Sequence, residues 1–227
     1  QPVTSAAIGA GAHSISRPDG SYLVIRGGGT GLDVYNSIAG TFTNSAQVLN
    51  GVAGAGALSL PRPDGRYRVL HCGGLTTSSL VDPGGTVAVG ASVAVTACNT
   101  GTVSFKRADG RFIVFNGGAG TTQIYNPVTD AAPVAGPTAT TGTFAAGSLV
   151  LPRPDGKALV INGGTNIATT NRYSPNSGTG DIGVFDGADT GDDLPAGCET
   201  NGAGSIAIRK PNGTYIIFSK VNSSVIY

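Results

Sequence analysis

Apolar and polar positions alternate in short bursts along the chain, and the bursts recur. They are clearest in GAHSISRPDG (11–20), GALSLPRPDG (56–65), GTVSFKRADG (101–110), GSLVLPRPDG (147–156) and GSIAIRKPNG (204–213). The third position reads His13, Leu58, Val103, Leu149, Ile206 and the fifth Ile15, Leu60, Phe105, Leu151, Ile208, with mostly small residues between. A period of two predicts a strand. Arg-Pro-Asp-Gly then predicts a tight reversal, because Pro presets φ, Asp bonds its own backbone and Gly accepts positive φ. The segments that follow are YLVI, YRVL, FIVF, ALVI and YIIF. They are nearly continuously apolar, as a strand covered on both faces must be.

After the second strand, four units carry a polar residue and a glycine pair: Arg26-Gly27-Gly28, His71-Cys72-Gly73-Gly74, Asn116-Gly117-Gly118 and Asn162-Gly163-Gly164. The fifth has Ser219-Lys220 instead. A third strand closes on DVY (33–35), QIYNP (123–127) or NRYSP (171–175), with VDP (81–83) in the second unit, and a fourth segment leads into the next unit. The closing glycines fall at 20, 65, 110, 156 and 213, so the period is about 45 residues with one insertion. Four short antiparallel strands per repeat predict an all-β, five-bladed β-propeller. It is expected to form one domain, 1–227, with units near 11–55, 56–100, 101–146, 147–203 and 204–227 plus 1–10.

The fifth unit stops at Tyr227, where its siblings continue into Asn-Pro or Ser-Pro. Gln1-Pro2-Val3-Thr4 reads as that continuation, since IYNPVT (124–129) resembles Ile226-Tyr227 joined to QPVT. The expectation is that Gln1, Pro2, Val3 and Thr4 pair beside Val225, Ile226 and Tyr227 to complete the last blade, which removes an open sheet edge.

The apolar strand, glycine pair and tyrosine resemble the kelch repeat. LPRPDGKALVINGG (151–164) is similar to the version in the propeller domains of galactose-oxidase-like proteins. The resemblance covers essentially the whole chain and implies a propeller. It departs from the family in lacking the Trp that follows the kelch Tyr, and the fifth unit lacks the glycine pair.

Composition narrows the rest. Only 12% of residues are charged, 14 basic against 13 acidic, so no basic field exists to gather nucleic acid. No apolar run approaches the ~20 residues of a membrane helix. The chain begins with Gln1 and contains no Met, and the expectation is an extracellular or cell-surface protein after removal of an N-terminal signal segment. Of three cysteines, Cys72 follows a second strand and Cys98 lies in the connection between neighbouring units. Alternating strand direction places both on one face, where a Cys72–Cys98 disulfide is geometrically reasonable. Cys198 is then left over, either buried and reduced or bridging two molecules. Asn212 and Asn222 stand in glycosylation sequons.

Candidates for chemistry are few. Asp19, Asp64, Asp109 and Asp155 occupy one turn position, where hairpin chemistry already wants Asp. Arg17, Arg62, Arg107, Arg153 and Lys210 would form a cationic ring, largely neutralised by those acids. Arg26, His71, Asn116, Asn162 and Ser219 are expected to ring one mouth of the propeller. His13 replaces an aliphatic residue and reads as core-lining rather than a base. Two histidines are too few for a copper oxidase of the galactose-oxidase type. Asp186, Asp189, Asp192 and Asp193 in the unit-four insertion offer oxygen ligands for calcium but match no established loop order; no other cofactor is expected.

These features point to a non-enzymatic extracellular structural protein that self-associates into a filament, tube or surface layer. Its partner is then itself, or another surface protein or glycan, without nucleic-acid binding or membrane insertion. A lectin-like glycan- or protein-binding module is the alternative, and a glycan-acting enzyme ranks third.

Overall fold

The computed structural model describes residues 7–84, 94–164, 169–175, 182–188, 205–218 and 224–226. Among these residues every regular element is a strand and none is a helix. The chain divides into two compact units, Gln1–Thr100 with Asn126–Pro133, and Gly101–Tyr125 with Val134–Tyr227.

The first unit holds a sheet of β1 (His13–Ser16), β2 (Tyr22–Ile25), β3 (Gly31–Asn36) and β4 (Thr41–Val48), and a sheet of β5 (Leu58–Pro61), β6 (Tyr67–Leu70) and β7 (Ser78–Val81). The second is built on β8 (Asn99–Lys106), β9 (Phe112–Gly117), β10 (Thr122–Tyr125) and β11 (Val134–Ala135). It continues with β12 (Leu149–Pro152), β13 (Ala158–Ile161), β14 (Thr170–Ser174) and β15 (Val184–Ala188), and then β16 (Ile206–Arg209), β17 (Tyr215–Phe218) and β18 (Ser224–Ile226). Each sheet is an antiparallel meander in sequence order. Three have four strands. The second and fifth show three; residues 85–93 lie outside the described residues, as do Gln1–Thr4, expected to complete the last blade.

The first hairpin repeats in one register: His13 opposite Ile25, Leu58 opposite Leu70, Leu149 opposite Ile161 and Ile206 opposite Phe218. The turn chemistry read from the sequence is what fixes it. Asp19, Asp64, Asp109, Asp155 and Asn212 each accept the backbone N–H two residues on, at 2.9–3.2 Å. The closing glycines have φ between 79° and 88°, and a Cβ on any of them would meet nothing within 4 Å. Backbone conformation, not crowding, selects glycine there.

The second strand β13 is apolar on both faces because it serves two clusters. In β13, Ala158 and Val160 join Ile113, Phe115, Phe144, Tyr173 and Phe185, whereas Leu159 and Ile161 join Leu151, Tyr215 and Ile217. The first unit repeats the pattern with Ile15, Leu23, Ile25 and Leu32 against Val69 and Val81. Each such side chain contributes about 1.5–3 kcal/mol by leaving water.

Candidate functional site

The arginine of the hairpin turn reaches beyond its own repeat. Arg17 Nε donates to the carbonyl of Pro83 at 2.6 Å, and Arg107 Nη2 donates to that of Pro175 at 2.9 Å. Arg62 instead pairs with Asp130, Nη1 to Oδ2 at 2.5 Å. Asp130 is also gripped by Arg68, whose Nε donates to Oδ1 at 3.0 Å and whose Nη2 contacts Oδ2. The side chains of Arg17, Arg62 and Arg107 are 19%, 9% and 1% exposed, so in these repeats the turn cation is a clasp on the following segment. Arg153 is 35% exposed and lies 3.6 Å from Asp155. The turn acids complete the clasps. Hydrogen bonds from Arg62 and then Arg66 hold the Asp64 carboxyl far below the usual carboxylate range, and the Ser21 hydroxyl and amide lower that of Asp19.

The polar residues at the ends of second strands form a second repeated device. His71, Asn116 and Asn162 are wholly buried. Asn116 accepts from Gln123 Nε2 at 2.8 Å and donates to Thr121 Oγ1 at 3.2 Å. Asn162 accepts from Asn171 Nδ2 at 3.1 Å and donates to Thr169 Oγ1 at 3.1 Å and to the Thr141 carbonyl at 3.0 Å. His71 is hydrogen-bonded to Thr77 Oγ1 at 2.8 Å and to Ser79 Oγ at 2.7 Å. The connecting segment is tied in as well, because Asn50 N–H donates to Ser79 Oγ and Thr141 N–H to Asn171 Oδ1. In the first repeat Gly31 stands where the others have the threonine. A Cβ there would fall 1.5 Å from Arg26 Nη2, so the longer side chain occupies the missing hydroxyl's space. Ser219, the fifth position expected at this mouth, lies outside the described residues.

Burial holds His71 below its ordinary pKa of 6.5. His13 is also lowered by burial, against an opposing bond to the Gly11 carbonyl, and its Nε2 lies 2.6 Å from Ser59 Oγ. The unfolded chain therefore binds protons that the folded chain refuses. The stability present above pH 6.5 is lost as the pH falls below it, by at most about 1.4 kcal/mol per pH unit for each histidine. Urea titrations across pH 7 to 5 should show this slope, and His71→Asn, which installs the sibling residue, should reduce it to the share that His13 contributes.

Cys72 and Cys98 are joined in a disulfide, both fully buried and 26 residues apart in sequence. Beside it the Gly74 N–H donates to the Cys98 carbonyl at 2.9 Å, the place where Gly28 donates to Ala53 and Gly118 to Phe144. The bond thus reinforces a link that other repeats make with the backbone alone. A Cys72→Ala/Cys98→Ala variant should lose about 3 kcal/mol of unfolding free energy, read from denaturant midpoints under non-reducing conditions.

The Asp186 carboxylate lies against Lys157 Nζ at 2.9 Å, Arg172 Nε at 3.3 Å and the Ser174 hydroxyl. Partial burial would raise its pKa, but the serine bond and the two cations outweigh that and hold it below the ordinary value. Its partners in the calcium expectation, Asp189, Asp192 and Asp193, lie outside the described residues, as do Gln1, Pro2, Val3, Thr4, Tyr227, Cys198 and Asn222. Val225 and Ile226 lie in β18, which pairs with β17. Asn212 is exposed at its hairpin tip. Asp33 and Asp130 are acids outside the turns that form no matched pair in the sequence, and neither Arg68 nor the third-strand series Asp33, Ser79, Gln123 and Asn171 is among the expected site residues. The series was visible as a polar residue at a fixed offset before the third-strand terminus, whereas nothing local marks Asp130.

No family model matches the sequence, and no curated protein sequence matches it either. Solved structures do. The chain is similar to virginiamycin B lyase from Staphylococcus aureus, at 6% identity and TM-score 0.59 over 94% of this chain and 68% of that one. It is similar to hydrazine synthase from Kuenenia stuttgartiensis, at 13% identity and TM-score 0.58 over 95% and 56%. It is also similar to a fungal alcohol oxidase of the AA5 family in complex with copper, at 18% and 0.57 over 91% and 47%. The chain spans about half the length of the last two. The likeness establishes an all-β, β-propeller-like fold.

Proposed function

We propose that the chain is a non-enzymatic extracellular structural propeller of five kelch-like units, closed by its N-terminal residues, that self-associates into a filament, tube or surface layer. The observation that carries this is the shared employment of the repeated polar groups. Arg17, Arg62 and Arg107 clasp the following segment, and His71, Asn116 and Asn162 are buried within the framework. Residues that in an enzyme would break the repeat here maintain it. The buried disulfide supports an oxidising compartment.

The last sheet carries an apolar face that supports association. Ile208 is 51% exposed, whereas its siblings Ile15, Leu60 and Leu151 are at most 2% exposed. Ile206 and Phe218 flank it, also exposed. Such a face is one that contact with a second copy buries. Contacts between rings then build the assembly.

Light scattering and electron microscopy of the full chain at high concentration test the reading. Regular polymers are expected, and their survival in a chain lacking residues 1–9 assigns them to contacts between rings, their loss to exchange of the terminal strand. A monodisperse monomer that retains glycans on an array would overturn the proposal in favour of the lectin-like reading.

A further inference from the structure

We propose that Asn212, at the tip of the β16–β17 hairpin, is an acceptor for an N-linked glycan. The first hairpins of all five repeats share a turn in which one side-chain oxygen accepts the backbone N–H two residues on. Four repeats use aspartate for this, and in three of them the residue two further on is a cation: Arg66, Arg111 and Lys157. The fifth reads Lys-Pro-Asn-Gly-Thr (210–214). Aspartate and asparagine both serve such a turn through Oδ1, so the turn alone does not select the amide. What the amide adds is a nitrogen. A hydroxyl two residues on serves the turn as well, since Ser21 Oγ donates to Asp19 Oδ1 at 2.6 Å. Of the five tips only the fifth combines amide and hydroxyl, with Gly213 between them, and so completes Asn-x-Thr.

The folded tip leaves the amide nitrogen available. Thr214 N–H donates to Asn212 Oδ1 at 3.2 Å, and Thr214 Oγ1 donates to the same atom at 2.8 Å. A backbone N–H only donates, so the atom it meets is the carbonyl oxygen, and Nδ2 lies on the other arm of the carboxamide. Among the described residues Nδ2 has no hydrogen-bond partner. The turn closes without it, by Lys210 N–H to the Thr214 carbonyl at 2.8 Å and Gly213 N–H to the Lys210 carbonyl at 3.0 Å. Pro211 and Asn212 are both exposed, which a bulky surface glycan requires. The donor is an oligosaccharide carried on a lipid pyrophosphate. Nδ2 attacks its anomeric carbon, the new N–C bond forms as the C–O bond to pyrophosphate breaks, the lipid pyrophosphate leaves with that electron pair, and a base of the transferase takes the amide proton. Oδ1 is untouched, so both bonds from Thr214 survive in the product.

The inference rests on the extracellular part of the proposed function and not on assembly. Its test is the full chain behind a cleavable signal peptide in a eukaryotic secretory cell, with Asn222→Gln throughout so that one sequon reports. Because the signal peptide imposes export, failure counts against the site and not against the native compartment. Cell-associated and secreted protein are both treated with peptide N-glycosidase in heavy-oxygen water and mapped by mass spectrometry. The enzyme converts a glycosylated asparagine to labelled aspartate, which separates it from earlier spontaneous deamidation at Asn-Gly. Position 212 should carry the label in most molecules. Asn212→Asp installs the sibling residue, which keeps the turn acceptor and removes Nδ2, and should lose one gel-mobility step. An unlabelled position 212, or a mobility that Asn212→Asp leaves unchanged, would refute the assignment. A glycosylated chain that stays monomeric refutes the assembly reading and leaves the acceptor site intact; an unmodified chain that polymerises does the reverse.

Discussion

Replacing Asp130 with asparagine should cost the protein about 3–5 kcal/mol of stability. The carboxylate sits between Arg62 and Arg68, and the Arg68 side chain is 2% exposed. Removing the anion breaks the pair with the buried Arg68 and one of the two carboxylate contacts of Arg62, which keeps Asp64, and breaking a buried pair by removing one partner is strongly destabilising. Asparagine is the informative replacement because Asp130 has φ of +53°, a conformation that asparagine tolerates, so the change isolates charge from backbone strain. Urea unfolding should show the loss, and adding Arg68→Met should recover part of it, since an apolar side chain there removes a buried charge that has lost its carboxylate at Asp130. A loss under about 1 kcal/mol would mean the cluster behaves as an exposed ion pair.

Gly101→Ala should be nearly as damaging, at about 3–5 kcal/mol, while Gly110→Ala costs only about 1–2. Both glycines have positive φ, +91° and +83°, and share the left-handed penalty of roughly 1–2 kcal/mol for a residue with a Cβ. They differ in surroundings. A Cβ at Gly101 would lie 2.0 Å from the Ala145 carbonyl oxygen, backbone that cannot swing aside, whereas at Gly110 it meets open space. The excess at Gly101 is an overpacking cost of about 1–3 kcal/mol or slightly more. Thermal and urea midpoints of the two variants check the contrast; equal losses would show that the segments carrying Gly101 and Ala145 part easily.

These two sites also mark where the sequence was legible. Local chemistry reads well: the hairpin turns bond as Asp-x-backbone predicts, and the unbroken apolarity of ALVI is explained by Leu159 and Val160 facing different clusters. Partners distant in the chain do not. Arg17 finds a carbonyl 66 residues away and Arg68 a carboxylate 62 away, and no spacing rule announces either. The pattern alone implies a cationic ring of turn arginines neutralised by the turn acids, whereas in three repeats the guanidinium is largely covered and bonds a distant segment. Likewise His71, Asn116 and Asn162 were recognisable as one structural position, but their burial depends on the hydroxyl and amide partners supplied by the third strand and the connecting segment.

Nuclear Overhauser contacts between the two ends of the chain test the ring most directly. Paired strands bring Cα atoms to within about 5.5 Å, so the account predicts backbone contacts from residues 1–7 to residues 224–227 within one molecule. Random-coil shifts for residues 1–7 with no such contacts, or contacts seen only between differently labelled copies, would contradict it.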